Sequence, residues 1–188
     1  MAQVNSGALP WTNIDAIHRM ILENLLDEFN IRGLEESTKA HWNRVWHRLN
    51  PWPDSLIGVA RLRQHYTVAS LSNGNIALLT NMAKNAGLHW DCILSAELFK
   101  CYKPDIRVYQ RAAALLGLEP QQVMMIAAHN HDLAGAKAAG MHTAFILRAN
   151  EYGPNQKTNL SAAANTDISA GNFSDLADQL LYEKNKKA

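Results

Sequence analysis

Apolar positions near the start of the chain recur at steps of three and four. Ile14, Ile17, Ile21, Leu22, Leu25 and Phe29, with His18, fall along one side of a helix, and Thr12 or Asn13 can cap its start. Trp42, Val45, Trp46 and Leu49 repeat the pattern over a second helix, from about Ser37 to Leu49. His18, His41 and His47 lie in these helices and are expected as packing or surface residues, and the tryptophans as helix–helix packing. Residues 1–13 carry no such period and are expected to form a flexible lead-in. Pro51-Trp52-Pro53 stops the second helix, because proline lacks the amide donor and fixes φ. Asp54 is expected to cap a short helix through Leu62.

From Tyr66 the period changes. Short apolar runs now alternate with helical segments, which predicts a mostly parallel sheet with right-handed crossovers. Strands are expected at Thr67–Leu71, Trp90–Ser95, Val123–Ala128 and Thr143–Leu147, with a short last one from Ile168. Helices are expected at Ile76–Ala86, closed by Gly87, at Asp105–Leu116, at Leu133–Ala139 and at Phe173–Leu181. Ala96 to Tyr102 reads as a connection, and the lysine-rich tail as frayed. The fold class is therefore α/β: a three-layer core with a parallel sheet, preceded by a helical piece. The domain division follows the proline junction, residues 1–53 and 54–188.

Composition narrows the function. Of 188 residues, 47% are apolar and 19% charged, enough for a real core and against disorder. A net charge of +1 without a basic stripe does not call for nucleic acid. Cys92 and Cys101 have no metal-ligand spacing. As thiols they fit a reducing, cytoplasmic setting, although their spacing leaves a disulfide open. The first residues, MAQVNSGALPW, do not fit a secretory signal, and no apolar run approaches the ~20 residues of a membrane span.

Polar groups follow three of the strands. Ser72-Asn73 follows the first, Lys103 the second, and His129-Asn130-His131-Asp132 the third. Strand C-termini of an open parallel sheet are where such folds bind ligands, so these groups are expected to converge. Ser72 and Asn73 offer a hydroxyl and an amide to an anion; alternatively, Ser72-Asn73-Gly74 only makes a turn. Lys103 is either a site lysine or a solvated one. Asp132 orients a water, anchors the lysine, or only caps the helix that follows.

SLSNGN, YKPDIRVY and MIAAHNHDLAGA, in that order, resemble the haloacid dehalogenase superfamily, and within it the type II 2-haloacid dehalogenases, including the haloacetate-type branch. The similarity extends over nearly the whole chain. PWTNIDAIHRM and LNPWPDS resemble cap helices and the return to the core, and EYGPNQ a late core loop. The resemblance implies a Rossmann-like core with a partial helical cap. It implies that Ser72 helps hold a substrate carboxylate and that Asn73 lies beside the departing halide. Lys103 then pairs with a nucleophilic carboxylate, and Tyr109 stands near the site. Asp132 positions the hydrolytic water, with His129 and Asn130 beside it. The implied chemistry is covalent: an aspartate displaces halide from the α-carbon, and water hydrolyses the resulting ester. The substrate class is a short 2-haloacid, with no metal and no other cofactor. Phosphatase relatives carry another acid four positions before Asp132, where this chain has Ala128, and loss of that oxygen ligand disfavours a Mg²⁺ site.

One part of the family pattern finds no counterpart. The nucleophile of the family ends an apolar first strand, and neither Asp15, in an amphipathic helix, nor Asp54, after a proline, sits in such a segment. The expectation is a chain without its nucleophile segment and inactive alone. Its open central strand position would have to be filled, closed or used for self-association, most simply as a homodimer. The alternatives are a non-catalytic remnant or interaction module, and a phosphatase of the same superfamily.

Overall fold

The computed structural model describes residues 1–187. Helices α1 (Ala2–Asn5), α2 (Ile14–Glu28) and α3 (Glu36–Asn43) lead through a 3-10 turn (Arg44–Arg48) to α4 (Ser55–Arg63). Then follow β1 (Ala69–Ser72), α5 (Ile76–Ala86), β2 (Cys92–Ser95), α6 (Ala96–Phe99) and α7 (Ile106–Leu115). A 3-10 turn (Pro120–Gln122) precedes β3 (Met124–Ala127), α8 (Asn130–Ala138), β4 (His142–Ile146), β5 (Ile168–Ala170) and α9 (Phe173–Lys187). Helices alternating with parallel strands are the α/β arrangement that the change of period implies.

Local chemistry explains the boundaries. Asn13 caps α2 by accepting from the Ala16 amide at 2.9 Å. Gly87 ends α5 in the left-handed region, φ 69°, where a side chain would be strained. The second amphipathic segment is α-helical only to Asn43 and tightens into the 3-10 turn ahead of Pro51. The expected connection after β2 contains α6, whose first turn is capped by Ser95 Oγ accepting from Glu97 N at 3.0 Å. The last helix runs on through the lysine-rich tail to Lys187, where fraying was expected.

Contacts group the chain into two compact units, residues 1–51 with 69–102, and 52–68 with 103 onward. In the first unit β1 and β2 pair in parallel, Ala69 opposite Cys92 and Ser72 opposite Ser95. Val4, Ile14, Leu78, Leu79, Ala96 and Tyr102 form its core, and Trp11 stacks on Tyr102 at 4.9 Å. The expected flexible lead-in is instead docked. Val4 is buried, and the Asn5 side chain donates to Tyr102 O at 2.8 Å and accepts from Tyr102 N at 2.7 Å. The apolar side expected to pack helix on helix is largely on the surface: Trp42, Val45, Trp46 and Leu49 are each more than 40% exposed. Trp46 nevertheless stacks on the His18 ring at 4.8 Å.

In the second unit β3, β4 and β5 form a parallel sheet in that order, Met124 opposite His142 and Ala144 opposite Ile168. Leu62, Ala144, Ile146, Leu176 and Ala177 fill its core. α4 meets α9 at Gly58, where a Cβ would lie 2.2 Å from Phe173 Cβ. Asp54 does not cap its own helix. Its carboxylate receives both Arg148 guanidinium nitrogens, at 3.0 and 2.9 Å, and the Phe173 amide at 2.7 Å, so it fixes the start of α9 instead. Burial opposes its charge, but Arg148 and the Phe173 amide hold the carboxyl below the usual range. The Arg148 guanidinium also lies over the Trp52 ring at 5.0 Å. Among the described residues no helix is long and apolar enough to cross a membrane. Cys92 and Cys101 remain thiols.

Candidate functional site

The second unit brings three of the singled-out residues together. Lys103 precedes Pro104, and α7 begins at Ile106, so the ammonium comes from the entrance to that helix. Tyr109 lies one turn further on, fully buried. Asp132 is in the first turn of α8, directly after β3. Lys103 Nζ donates to Asp132 Oδ2 at 2.6 Å, and the Tyr109 hydroxyl donates to Asp132 Oδ1 at 2.6 Å. Each carboxylate oxygen thus has one strong donor. The Lys103 and Asp132 side chains retain 13% and 12% of their exposure, so the pair is nearly desolvated but still open to a small molecule. Burial first, and the adjacent carboxylate second, push the Tyr109 phenol far above its ordinary range, which keeps it a donor. Gly135 permits this approach: a Cβ there would stand 2.7 Å from the Tyr109 hydroxyl.

The neighbouring residues hold a loop. His129 is the N-cap of α8, and its Nε2 lies 3.0 Å from Glu151 Oε2 and 3.1 Å from the Tyr152 hydroxyl. Its ring stacks on His131 at 5.5 Å. The Asn130 amide donates to Ser161 O at 2.9 Å, its Oδ1 accepts from Ala163 N at 2.9 Å, and its backbone amide donates to Asn159 Oδ1 at 3.1 Å. Both residues therefore tie the segment after β4 to the start of α8. Among the described residues no cluster of three or more His, Cys, Asp or Glu could hold a metal ion.

Ser72 and Asn73 belong to the first unit. Ser72 Oγ accepts from the Gly74 amide at 3.1 Å, which is the turn-making role open to it from sequence. Asn73 Nδ2 lies 3.4 Å from Met1 Sδ. The turn is also held from β2, where Ser95 Oγ donates to Gly74 O at 2.6 Å.

Comparison with known proteins gives this arrangement a lineage. The family model described as haloacid dehalogenase-like hydrolase matches residues 7–140. The chain belongs to this family of hydrolases. Within it, the chain is 35% identical over 125 residues to (S)-2-haloacid dehalogenase 1 of Pseudomonas sp. (strain CBS-3), a match covering 63% of this chain and 55% of the relative. It is 38% identical over 107 residues to (S)-2-haloacid dehalogenase 4A of Burkholderia cepacia, covering 55% of this chain and 46% of that one. The chain spans about half the length of the curated relatives it matches. The crystal structure of an L-2-haloacid dehalogenase is similar with a TM-score of 0.93 and 48% identity, covering 96% of this chain and 79% of that chain. That of a defluorinating L-2-haloacid dehalogenase gives 0.94 and 44%, covering 96% and 75%. The Rossmann-like α/β fold of haloacid dehalogenase-like proteins is thus the fold of this chain.

Sequence reasoning did not find the partners of His129 and Asn130. Glu151 and Tyr152 lie in the EYGPNQ stretch that resembles a late core loop, but nothing in their type pairs them with a histidine more than twenty positions upstream. It also set His47 and Asp15 aside. His47 is buried and its Nε2 is 3.0 Å from Asp15 Oδ1. A histidine and an aspartate on the inner faces of two neighbouring helical segments were the available signal.

Proposed function

We propose that this chain serves the hydrolytic removal of halide from short 2-haloacids. The observation that carries this reading is the aspartate held jointly by a lysine and a buried tyrosine, at the C-terminal end of a parallel strand, in a family member whose similar relatives are 2-haloacid dehalogenases. In the proposed reaction a carboxylate attacks the α-carbon, forming a C–O bond as the carbon–halogen bond breaks and halide leaves. Water then attacks the ester carbonyl, releasing the hydroxy acid and restoring the carboxylate. Lys103 offsets the charge of the attacking carboxylate, and Asp132 accepts a hydrogen bond from the water. Tyr109 orients Asp132. Ser72 and Asn73 serve the substrate carboxylate and the leaving halide, and His129 and Asn130 brace the loop beside Asp132. The assignment of residues 1–53 to a partial cap and 54–188 to the core belongs to the same proposal.

Neither Asp15 nor Asp54 is suited to be the attacker. Asp15 accepts from His47 and Asn75, and Asp54 accepts from Arg148 and the Phe173 amide. The attacking carboxylate is therefore taken to come from outside these residues, and the chain alone to be inactive. The test is halide release from chloroacetate by the chain alone and by the chain fused to the N-terminal segment of a 2-haloacid dehalogenase relative. Release by the fusion, lost at least ~100-fold in Lys103→Ala and Asp132→Asn, is expected. A folded fusion that releases nothing, or release indifferent to both substitutions, refutes the reading. Self-association is also proposed, supported by exposed Ile21, Leu25, Phe29 and Trp42; sedimentation of a monomer at all concentrations refutes it.

A further inference from the structure

Asp15 has no step in the reaction proposed above, yet three other segments of the first unit converge on it. Its Oδ1 lies 3.0 Å from His47 Nε2, in the 3-10 turn. Its Oδ2 accepts from Asn75 Nδ2 at 3.0 Å, at the start of α5, and its backbone carbonyl accepts from Asn43 Nδ2 at 3.0 Å, at the end of α3. Behind His47, the Asn81 amide donates to Nδ1 at 3.0 Å. An imidazole that accepts on Nδ1 carries its proton on Nε2, so the donor is aimed at Asp15.

Asn75 shows what the network is for. It stands at the N-cap position of α5 with an extended backbone, φ −69° and ψ 158°, where asparagine ordinarily turns its carbonyl onto the helix amides. It does not do so here. The Ile76 amide is taken by the Glu97 carboxylate at 2.9 Å, and Asn75 Oδ1 is left buried with no partner among the described residues. The residue is only 5% exposed, so water does not readily replace the missing donor. A side chain needed only to start the helix would be turned the other way. Its orientation makes sense as a tie between Asp15 and the four-residue turn that carries Ser72 and Asn73.

We propose that Asp15, His47 and Asn81 are positioning residues that fix the Ser72–Asn75 turn through Asn75, and so aim the Ser72 hydroxyl at the carboxylate of a haloacid and the Asn73 amide at its departing halide. The second half of this statement rests on the function proposed above; the first does not. The turn is held at Ser72 by the Gly74 amide and at Gly74 by Ser95, and the Asp15 tie sets its last residue against α2.

The test uses the full 188-residue chain, isotopically labelled, with two readouts. Amide hydrogen exchange at Gly74, Asn75 and Ile76 reports the turn, and chloroacetate titration of the Ser72 and Asn73 amide resonances reports binding. Asp15→Asn and Asn75→Ser are expected to speed exchange in the turn about tenfold, with amides of β3 unchanged. They are expected to weaken chloroacetate binding about fivefold. His47→Gln, which keeps an N–H donor for Asp15, retains most of the protection that His47→Ala loses. Wild-type exchange rates at the turn in both Asp15→Asn and Asn75→Ser overturn the proposal, as does His47→Gln matching His47→Ala. A wild-type chain that ignores chloroacetate while the exchange contrast holds overturns the haloacid half and supports the tie.

Discussion

Asp132, in the second unit, faces a lysine ammonium and a tyrosine hydroxyl; Asp15, in the first, faces an imidazole and a carboxamide. Both are aspartates near the start of a helix with each carboxylate oxygen engaged. The donors differ in charge. The Lys103–Asp132 pair is neutral as a whole, so a second carboxylate could approach the ammonium without a large excess of negative charge. The Asp15 network uses donors that leave the aspartate charge in place, and its links are directional. One arrangement suits a group that must manage charge during a reaction, the other a group that must hold a geometry.

This contrast predicts a graded series. Lys103→Ala strands a nearly buried carboxylate that keeps its Tyr109 donor. Removing one partner of a fully buried pair costs about 3–5 kcal/mol, and the residual exposure here lowers the expectation to roughly 2–3 kcal/mol, read from urea unfolding. Tyr109→Phe removes one hydrogen bond to a charged group, about 1.5–2 kcal/mol by the same measurement. Gly135→Ala gains helix propensity but forces the Tyr109 ring aside, for a net loss of about 1 kcal/mol. Asn81→Ala breaks a bond between neutral groups and is expected to cost less, about 0.5–1 kcal/mol. If Asn81→Ala costs as much as Lys103→Ala, the distinction between the two aspartates fails.

The smallest effect concerns a third, more exposed aspartate. Lys137, with the Thr143 amide and hydroxyl, lowers the Asp167 carboxyl to about 2. A depressed folded value means that its stabilisation is complete above the ordinary carboxylate range and is lost as pH falls toward about 2. Asp167→Asn should therefore flatten the acid limb of the stability curve only in that window, and weakly, because the side chain is 32% exposed. An unchanged acid limb contradicts this.

Local signals in the sequence carried far. α5 spans the same residues, Ile76 to Ala86, that periodicity and Gly87 predict, because amphipathic period and a glycine stop are both short-range. The order of the three motifs led to the family. What sequence does not show is which distant groups meet. Asn5 pairs with Tyr102 across 97 positions, which turns an apparent lead-in into part of the core. His47 looks like any helical histidine until Asp15, 32 positions earlier, is found at its Nε2. The exposed tryptophans departed from expectation for the complementary reason: an apolar stripe records that a face prefers to leave water, not what covers it.

The Asp54 clasp bears on how the polypeptide is made. Its two partners, Arg148 and the Phe173 amide, lie 94 and 119 positions downstream. During synthesis Asp54 leaves the ribosome long before either, and the close contact of Gly58 with Phe173 has yet to form. When α9 emerges, the Phe173 amide joins Arg148 on Asp54 and Phe173 comes to rest against Gly58. A stop codon placed just ahead of Phe173 would therefore leave Asp54 with Arg148 alone and α4 without α9 against Gly58.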